Sequence, residues 1–388
     1  MLHSTTIESA RGFCPTLMSN FLVLSDQLKP TPGFETLISY RQQAGADLSS
    51  ATVPCGWMVD FGCLDLQNLS TDLMYVSISH ISVLVFPLHS GLAMSPPLVV
   101  MITGCSSGIG LATATYLAKE ADHNFKVYAT VKELSDISDL EEAAGDSKDK
   151  SLFIRELDVT KKVSVRSAVA EILQANDKID VVITNAGIVA VDSDLYDESS
   201  ESLDIAQEIM NVNLWGSARV MQAVLPSMKS HQSGHLINIT SGAGVQGLPF
   251  VGFYSASKFA LEGMSEGLAV VLQKGYGIRT SIIEIGAVST PLKKNAEENV
   301  KEADIFLNWD NTTLVLFKEY AAKVLLPAMN ISRHPREIGQ LIEKVILSNE
   351  PHLRYQSDEQ STKLVASMLV DPTGDSVIKI NQATLNCG

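Results

Sequence analysis

Tyr254 and Lys258 stand four residues apart in Tyr254-Ser-Ala-Ser-Lys258. The apolar residues that follow recur at Phe259, Leu261, Met264, Leu268, Val271 and Leu272, which is helical spacing. On a helix, residues four apart share a face and lie about 6 Å apart along the axis. An ammonium held there favours the ionised form of a phenol. Moving a tyrosine from a pKa of about 10 to about 7 takes roughly 4 kcal/mol. Such a phenol gives or takes a proton at neutral pH. The chain contains the same pattern again at Tyr128 and Lys132, within Phe-Lys-Val-Tyr-Ala-Thr-Val, which reads as a strand. There the two side chains are about 13 Å apart, too far for direct tuning. The pattern therefore gains meaning only from its surroundings.

Composition narrows the choices. The 388 residues include 45% hydrophobic ones, enough for a large core, and carry a net charge of −15. A chain this acidic without a basic stripe is not expected to bind nucleic acid. Five cysteines are scattered at 14, 55, 63, 105 and 387, without zinc-ligand spacing, which implies a reducing compartment and no disulfide framework. No apolar run reaches the length of a membrane span, and the longest, Leu73 to Leu88, is broken by serines, a histidine and a proline. The N-terminus lacks the pattern of a signal peptide. The expected location is cytoplasmic, with peripheral membrane contact allowed.

Residues 1–93 mix Ser, Thr, Gly and Pro with few charges and read as a poorly ordered extension. A domain begins near Met94 and is expected to run to 388. It opens with the apolar strand 97–103 and continues with strands at 126–131, 152–157, 179–184, 235–240 and 278–285. Helices are expected at about 110–121, 136–144, 163–175, 201–230 with a break near Asn211, and 254–274. Apolar strands alternating with helices imply an α/β fold, a Rossmann-type doubly wound parallel sheet of about seven strands with helices on both faces. Such sheets bind ligands at the carboxyl ends of their strands.

The first strand of the domain runs into Gly104-Cys-Ser106-Ser107-Gly108-Ile109-Gly110 and then a helix. Glycines here let the backbone turn tightly and approach a pyrophosphate, which sits at the helix N-terminus. The same residues spell the Gly-x-Ser-x-Gly elbow of a serine hydrolase. That elbow normally follows several strands, and the histidines 231 and 235 flank the start of a strand rather than its end. The phosphate-binding turn is the stronger reading.

Thr103-Gly-Cys-Ser-Ser-Gly-Ile-Gly110, Asn185-Ala186-Gly187, Asn213, Ser241 and Tyr254…Lys258, in this order, resemble the short-chain dehydrogenase/reductase family. Within it the likeness is to the hydroxysteroid and photoreceptor-type retinol dehydrogenases, through Ala-Ser-Lys-Phe-Ala-Leu-Glu-Gly and the late Leu353-Arg-Tyr. It spans about 97–375. The resemblance implies that Tyr254 is the general acid in reduction and the base in oxidation. Ser241 would bond the reacting oxygen. Lys258 would lower the phenol pKa, together with a cationic nicotinamide, and hold the nicotinamide ribose. Asn213 would fix a water linking Lys258 to solvent, although alone it reads as a helix-breaking polar residue. Asn185 to Gly187 would line the cofactor, Asp158 would contact its adenine, and Val288 and Thr290 would close over the nicotinamide. No metal is expected.

Lys132, at the end of the second strand, favours NADP(H) over NAD(H), with Ser107 as a further phosphate contact. The family's usual Pro-Gly after the sixth strand is replaced by Ile285-Gly-Ala. Residues 291–330 match the family's substrate lid, and Phe306, Trp309, Leu314, Leu316, Phe317 and Leu325 suit a lipophilic alcohol or ketone, retinoid or steroid-like. Relatives pair through the helices at 211–230 and 254–274, so a homodimer is expected. A catalytically silent NADP(H)-binding redox sensor is the alternative, and the intact Asn213, Ser241, Tyr254 and Lys258 set speaks against it.

Overall fold

The computed structural model describes residues 65–69, 73–78, 81–85, 96–121, 123–135, 137–197, 199–200, 202–290, 306–325, 327 and 333–368. The chain divides into two compact units, 1–92 and 93–388. In the first, β1 (Asp65–Leu69), β2 (Leu73–Ile78) and β3 (Ile81–Val85) form a three-stranded antiparallel meander. The apolar run Leu73 to Leu88 thus supplies β2 and β3, which pair antiparallel. The expectation of a poorly ordered extension otherwise lies outside the described residues, as do Met94 and Cys387.

The second unit alternates strands with helices. Its strands are β4 (Leu98–Ile102), β5 (Phe125–Val131), β6 (Leu152–Glu156), β7 (Val181–Thr184), β8 (Gly234–Ser241), β9 (Ile278–Ile285) and β10 (Arg354–Gln356). They form one parallel sheet in the order β10-β9-β8-β7-β4-β5-β6. Chain order reverses between β4 and β7, and a crevice opens at that switch point beyond the carboxyl ends. The seventh strand is only three residues long, too short for periodicity to locate.

In order, the helices are α1 (Gly108–Lys119), α2 (Ser138–Ala144), α3 (Lys162–Asn176), α4 (Ser193–Tyr196), α5 (Asp204–Met210), α6 (Ser217–Ser230), α7 (Gly252–Tyr276), α8 (Asn311–Tyr320), α9 (Pro335–Leu347) and α10 (Glu359–Met368). Alternate side chains of β4 go to opposite faces, as a strand requires. Val100 and Ile102 pack with Ala114 and Leu117 of α1, Leu140 of α2 and Ile338 and Ile342 of α9. Val99 and Met101 pack with Val165 and Ile172 of α3, Val220 and Val224 of α6 and Leu261 of α7. A continuous apolar core on both faces fixes the strand register.

The break expected near Asn211 is a π-helical segment, Asn211–Gly216, between α5 and α6. Gly216 sits inside it because a Cβ there would lie 2.8 Å from Val159 Cγ2. Helix α7 ends at Gly277, whose φ of 65° gives the left-handed stop that glycine adopts freely.

Candidate active site

The turn after β4 shows why it carries glycine. Gly104 has φ 70° and Gly108 φ 60°, a region costly for other residues. A Cβ on Gly104 would also lie 2.8 Å from Ala186 Cα, and one on Gly110 would overlap the Gly104 carbonyl oxygen. The loop is fastened to the end of β7 by Asn185, whose amide donates to the carbonyls of Thr103 at 2.9 Å and Gly104 at 3.0 Å. The Thr103 hydroxyl accepts from the N–H groups of Asn185 and Ala186. Helix α1 then starts at Gly108 with Ser107 before it, and no side chain caps that end. The first N–H groups of a helix have no internal partner, an arrangement that favours an anion. Ser106, Ser107 and Ile109 are half-buried at that end.

The catalytic candidates gather beside this turn. Helix α7 begins where the buried Asp192 carboxylate accepts from the N–H groups of Gly252 and of Phe253, the latter at 3.1 Å. That cap sets the first turn, which carries Tyr254. One turn further, the Lys258 ammonium lies 5.6 Å from the centre of the Tyr254 ring and donates to the carbonyl of Ile239 at 3.1 Å. Gly187 closes the arrangement, for a Cβ there would lie 3.3 Å from Asn213 Oδ1 and 3.6 Å from Lys258 Nζ. Ser241, at the tip of β8, hydrogen-bonds Tyr254 and accepts from the N–H of Ala243 at 3.2 Å.

Asn213 is fully buried in the π-helical segment. Its Oδ1 accepts from the N–H of Ile188 at 2.9 Å, and its amide donates to the Ile188 carbonyl at 2.9 Å and to Ser257 Oγ at 3.0 Å. It therefore clamps the segment after Gly187 onto helix α7. The π-helical turn is the device that directs this side chain inward; such turns recur at functional sites.

Electrostatics at the site differ from the sequence expectation in one respect. Tyr254 was expected to be acidified by Lys258, yet burial pushes its phenol above the ordinary value, with the Ser241 hydrogen bond opposing that rise. Desolvation also brings the Lys258 ammonium down to about 8, opposed by the charge of Glu262. Helical spacing foresees where two groups meet. It says nothing of how much water the folded chain removes from them, and removal of water disfavours both charged forms.

The remaining expected residues fall as follows. Asp158 is buried at the end of β6, where its Oδ1 accepts from the N–H and hydroxyl of Thr160 and its Oδ2 pairs with Lys161 at 3.2 Å. Burial works against its charge, but these partners hold the carboxyl below its usual range. Lys132 is exposed just beyond β5. Val288 is buried and bridges to Arg333, while Thr290 is half-buried. The second Tyr-x-x-x-Lys copy is structural: Tyr128 is buried in β5 and its hydroxyl accepts from Asn176 at 2.7 Å. The rival hydrolase reading fails on its histidines, since His235 is buried at the start of β8 and His231 is paired with Asp177.

Within the lid, Phe306, Trp309 and Phe317 pack with Tyr196, Phe250 and Tyr320 into one aromatic cluster. Residues 291–305 and the side chain of Leu325 lie outside the described residues. Gly286, in the departure from Pro-Gly, fits tightly: a Cβ there would overlap Asp358 and Ser361, and its N–H donates to Ser357 at 2.8 Å.

Sequence reasoning missed Asp192, Glu262, Glu284 and Arg354. Glu262 repeats the four-residue step of Tyr254 and Lys258, a signal that was available. It is buried, and Arg354 reaches it at 3.1 Å while also pairing with Glu284 and Glu266.

A short chain dehydrogenase family model matches residues 98–301. Retinol dehydrogenase 8 of Bos taurus is 35% identical over 296 residues, covering 74% of this chain and 90% of that protein. Estradiol 17-beta-dehydrogenase 1 of Rattus norvegicus is 37% identical over 284 residues, 72% of this chain and 79% of its own length. The crystal structure of a short-chain dehydrogenase from Streptomyces avermitilis superposes with a TM-score of 0.57 at 24% identity, over 76% of this chain and 99% of that one.

Proposed function

The chain belongs to the short chain dehydrogenase family, and from that premise we propose that it interconverts a lipophilic alcohol and its carbonyl with NADP(H), using Tyr254 as general acid and base. The observation that carries this reading is the convergence of Ser241, Lys258, Asn213 and Gly187 on Tyr254 at the carboxyl ends of the sheet, beside the glycine turn.

A dinucleotide fits the residues present. The uncapped N-terminus of α1 suits a pyrophosphate. Exposed Lys132 and half-buried Ser107 stand where a ribose 2′-phosphate would be met, which favours NADP(H) over NAD(H). When bound, the nicotinamide supplies or accepts the hydride. The protein's own part is placement and proton transfer. In reduction, Ser241 holds the carbonyl oxygen and the Tyr254 hydroxyl gives it a proton. In oxidation the phenolate takes the alcohol proton. Burial keeps the phenol protonated at neutral pH, the form needed for reduction. The Lys258 ammonium, close to the ring, stabilises the phenolate left behind. Asn213 keeps Lys258 and the Gly187 segment in register.

The aromatic lid cluster and the names of the retinol and estradiol relatives support a lipophilic substrate. Exposed Trp215, Phe259, Val270 and Val271, on the helices through which relatives pair, support a homodimer. Among the described residues no helix is long and apolar enough to cross a membrane. The test is to mix the protein with retinoids, steroids and aliphatic carbonyls and follow the nicotinamide absorbance with NADPH and with NADH. Consumption of NADPH with a retinoid or steroid is the expected result. A protein that binds NADPH and turns over nothing in the panel would instead be the silent sensor.

A further inference from the structure

Three charges stand behind the catalytic lysine, two of them buried. Glu262 follows Lys258 by one turn of α7, Glu284 lies in β9 with no exposure, and Arg354 comes from the edge strand β10. Arg354 Nη2 is 3.1 Å from Glu262 Oε2, and its Nε is 2.9 Å from Glu284 Oε1. The Nε contact is off the line of its N–H, so it is an ion pair rather than a hydrogen bond. Arg354 Nη1 also meets the exposed Glu266 at 2.6 Å. Gln356 donates to the other Glu284 oxygen at 2.8 Å.

Two buried carboxylates around one guanidinium are an expensive way to hold a sheet edge. Similar-volume apolar residues are often as stabilising or more so. The position of the cluster gives it a use. Glu262 Oε1 is pressed against Gly244, where a Cβ would overlap it, and Gly244 belongs to the turn that follows Ser241. The Glu262 carboxylate therefore abuts the Ser241 turn on one side and shares the buried face of α7 with Lys258 on the other.

We infer that Glu262, held by Arg354 and Glu284, is a positioning residue that fixes both the place of the Ser241 turn and the charge of Lys258. This rests on the dehydrogenase reading above. The groups facing Lys258 are Tyr254 and Glu262 on its own helix, Asn213 from the π-helical segment, and the Ile239 carbonyl from β8. Glu284 and Arg354 act from behind Glu262 on β9 and β10. Glu262 is the anion among the first group, and its field opposes the loss of charge that burial imposes on Lys258. Glu262 is itself pushed upward by burial and by Glu284, with Thr240 and Arg354 holding it down. Arg354 thus keeps the carboxylate ionised where Lys258 needs it.

The test reads Lys258 directly, without turnover. Full-length protein carrying 13C at the lysine ε-carbon is titrated by NMR, with the Lys258 signal assigned by its loss in Lys258→Met. Wild type is expected to titrate near 8. Glu262→Gln, which keeps the shape and removes the charge, is expected to titrate about one unit lower. Glu262→Asp is expected to return most of the difference. Arg354→Gln, which removes the cation that keeps Glu262 ionised, is expected to move Lys258 downward as well, and keeps the question answerable if Glu262→Gln does not fold. The alkaline limb of kcat/KM should follow the same order. A Lys258 midpoint unmoved in folded Glu262→Gln, or unmoved in Arg354→Gln, overturns the inference. NMR shifts in the expected order from a protein that turns over no substrate would leave this inference standing and defeat the dehydrogenase reading instead.

Discussion

At the amino ends of the sheet, His235 is buried as a neutral imidazole; at the carboxyl ends, Lys258, Glu262 and Glu284 are buried, with the half-buried Arg354 set against the two carboxylates. His235 Nε2 lies 3.0 Å from Ser281 Oγ, and Ser281 donates onward to the His352 carbonyl at 2.9 Å. The imidazole must therefore be the donor to Ser281, and its Nδ1 is left without a partner. Burial, helped by Arg279, brings it down to about 3. One end thus discards its charge, which suits packing. The other retains charges that packing alone would not select, and it is the end where the crevice opens. Substitutions at the two ends should separate accordingly, activity falling at one and pH-dependent stability changing at the other.

Between the two ends, the larger effect on activity is expected at the carboxyl end. Ser241→Ala should lower kcat/KM by about 10²- to 10³-fold, as for loss of one donor to a reacting oxygen. Its bond to Ala243 is worth only about 1 kcal/mol, so thermal stability should hardly move. A fall in stability that accounts for the lost activity would erase the contrast.

His235→Gln should do the reverse. A group whose folded pKa is depressed contributes stability that is present above its unfolded value and lost as pH falls toward the folded one. Here the window runs from about 6.5 to about 3. Wild type should lose up to about 1.4 kcal/mol per pH unit from this group across that window. Denaturant melts of the variant should lack that component, with turnover at neutral pH unchanged. Equal acid slopes in the two proteins would remove His235 from the comparison.

Asp192→Ala lies between these cases, since Asp192 caps the helix that carries Tyr254 and Lys258. It should cost about 1–2 kcal/mol of stability and a few-fold in kcat, and a loss confined to stability would show that the cap does not place Tyr254. The smallest effect is expected at the rim. Lys132→Glu should weaken NADPH about tenfold, or about 1.4 kcal/mol, and leave NADH alone. An equal change for both cofactors would detach Lys132 from the 2′-phosphate.

Much of the fold was legible because it follows from alternation. Six strands and the helices between them are marked by apolar runs of the right length, and the glycine turn by its three glycines. β10 escaped because three residues carry no period. The Tyr254 and Lys258 pair was legible because four residues on a helix share a face. Asp192 and Arg354 were not, because a cap and an ion pair spanning 60 to 92 residues of sequence depend on where β7 and β10 end up. The raised phenol was hidden for a related reason: desolvation is a property of the assembled crevice.

The most direct test of the central claim is Tyr254→Phe, which removes one oxygen atom and leaves the ring. With NADPH and whichever carbonyl the wild type reduces, turnover should fall by about 10²- to 10⁴-fold while NADPH binding, followed by its fluorescence, stays close to that of wild type. A variant that binds NADPH and still reduces that carbonyl at a rate near the wild type would contradict the assignment of the proton to residue 254.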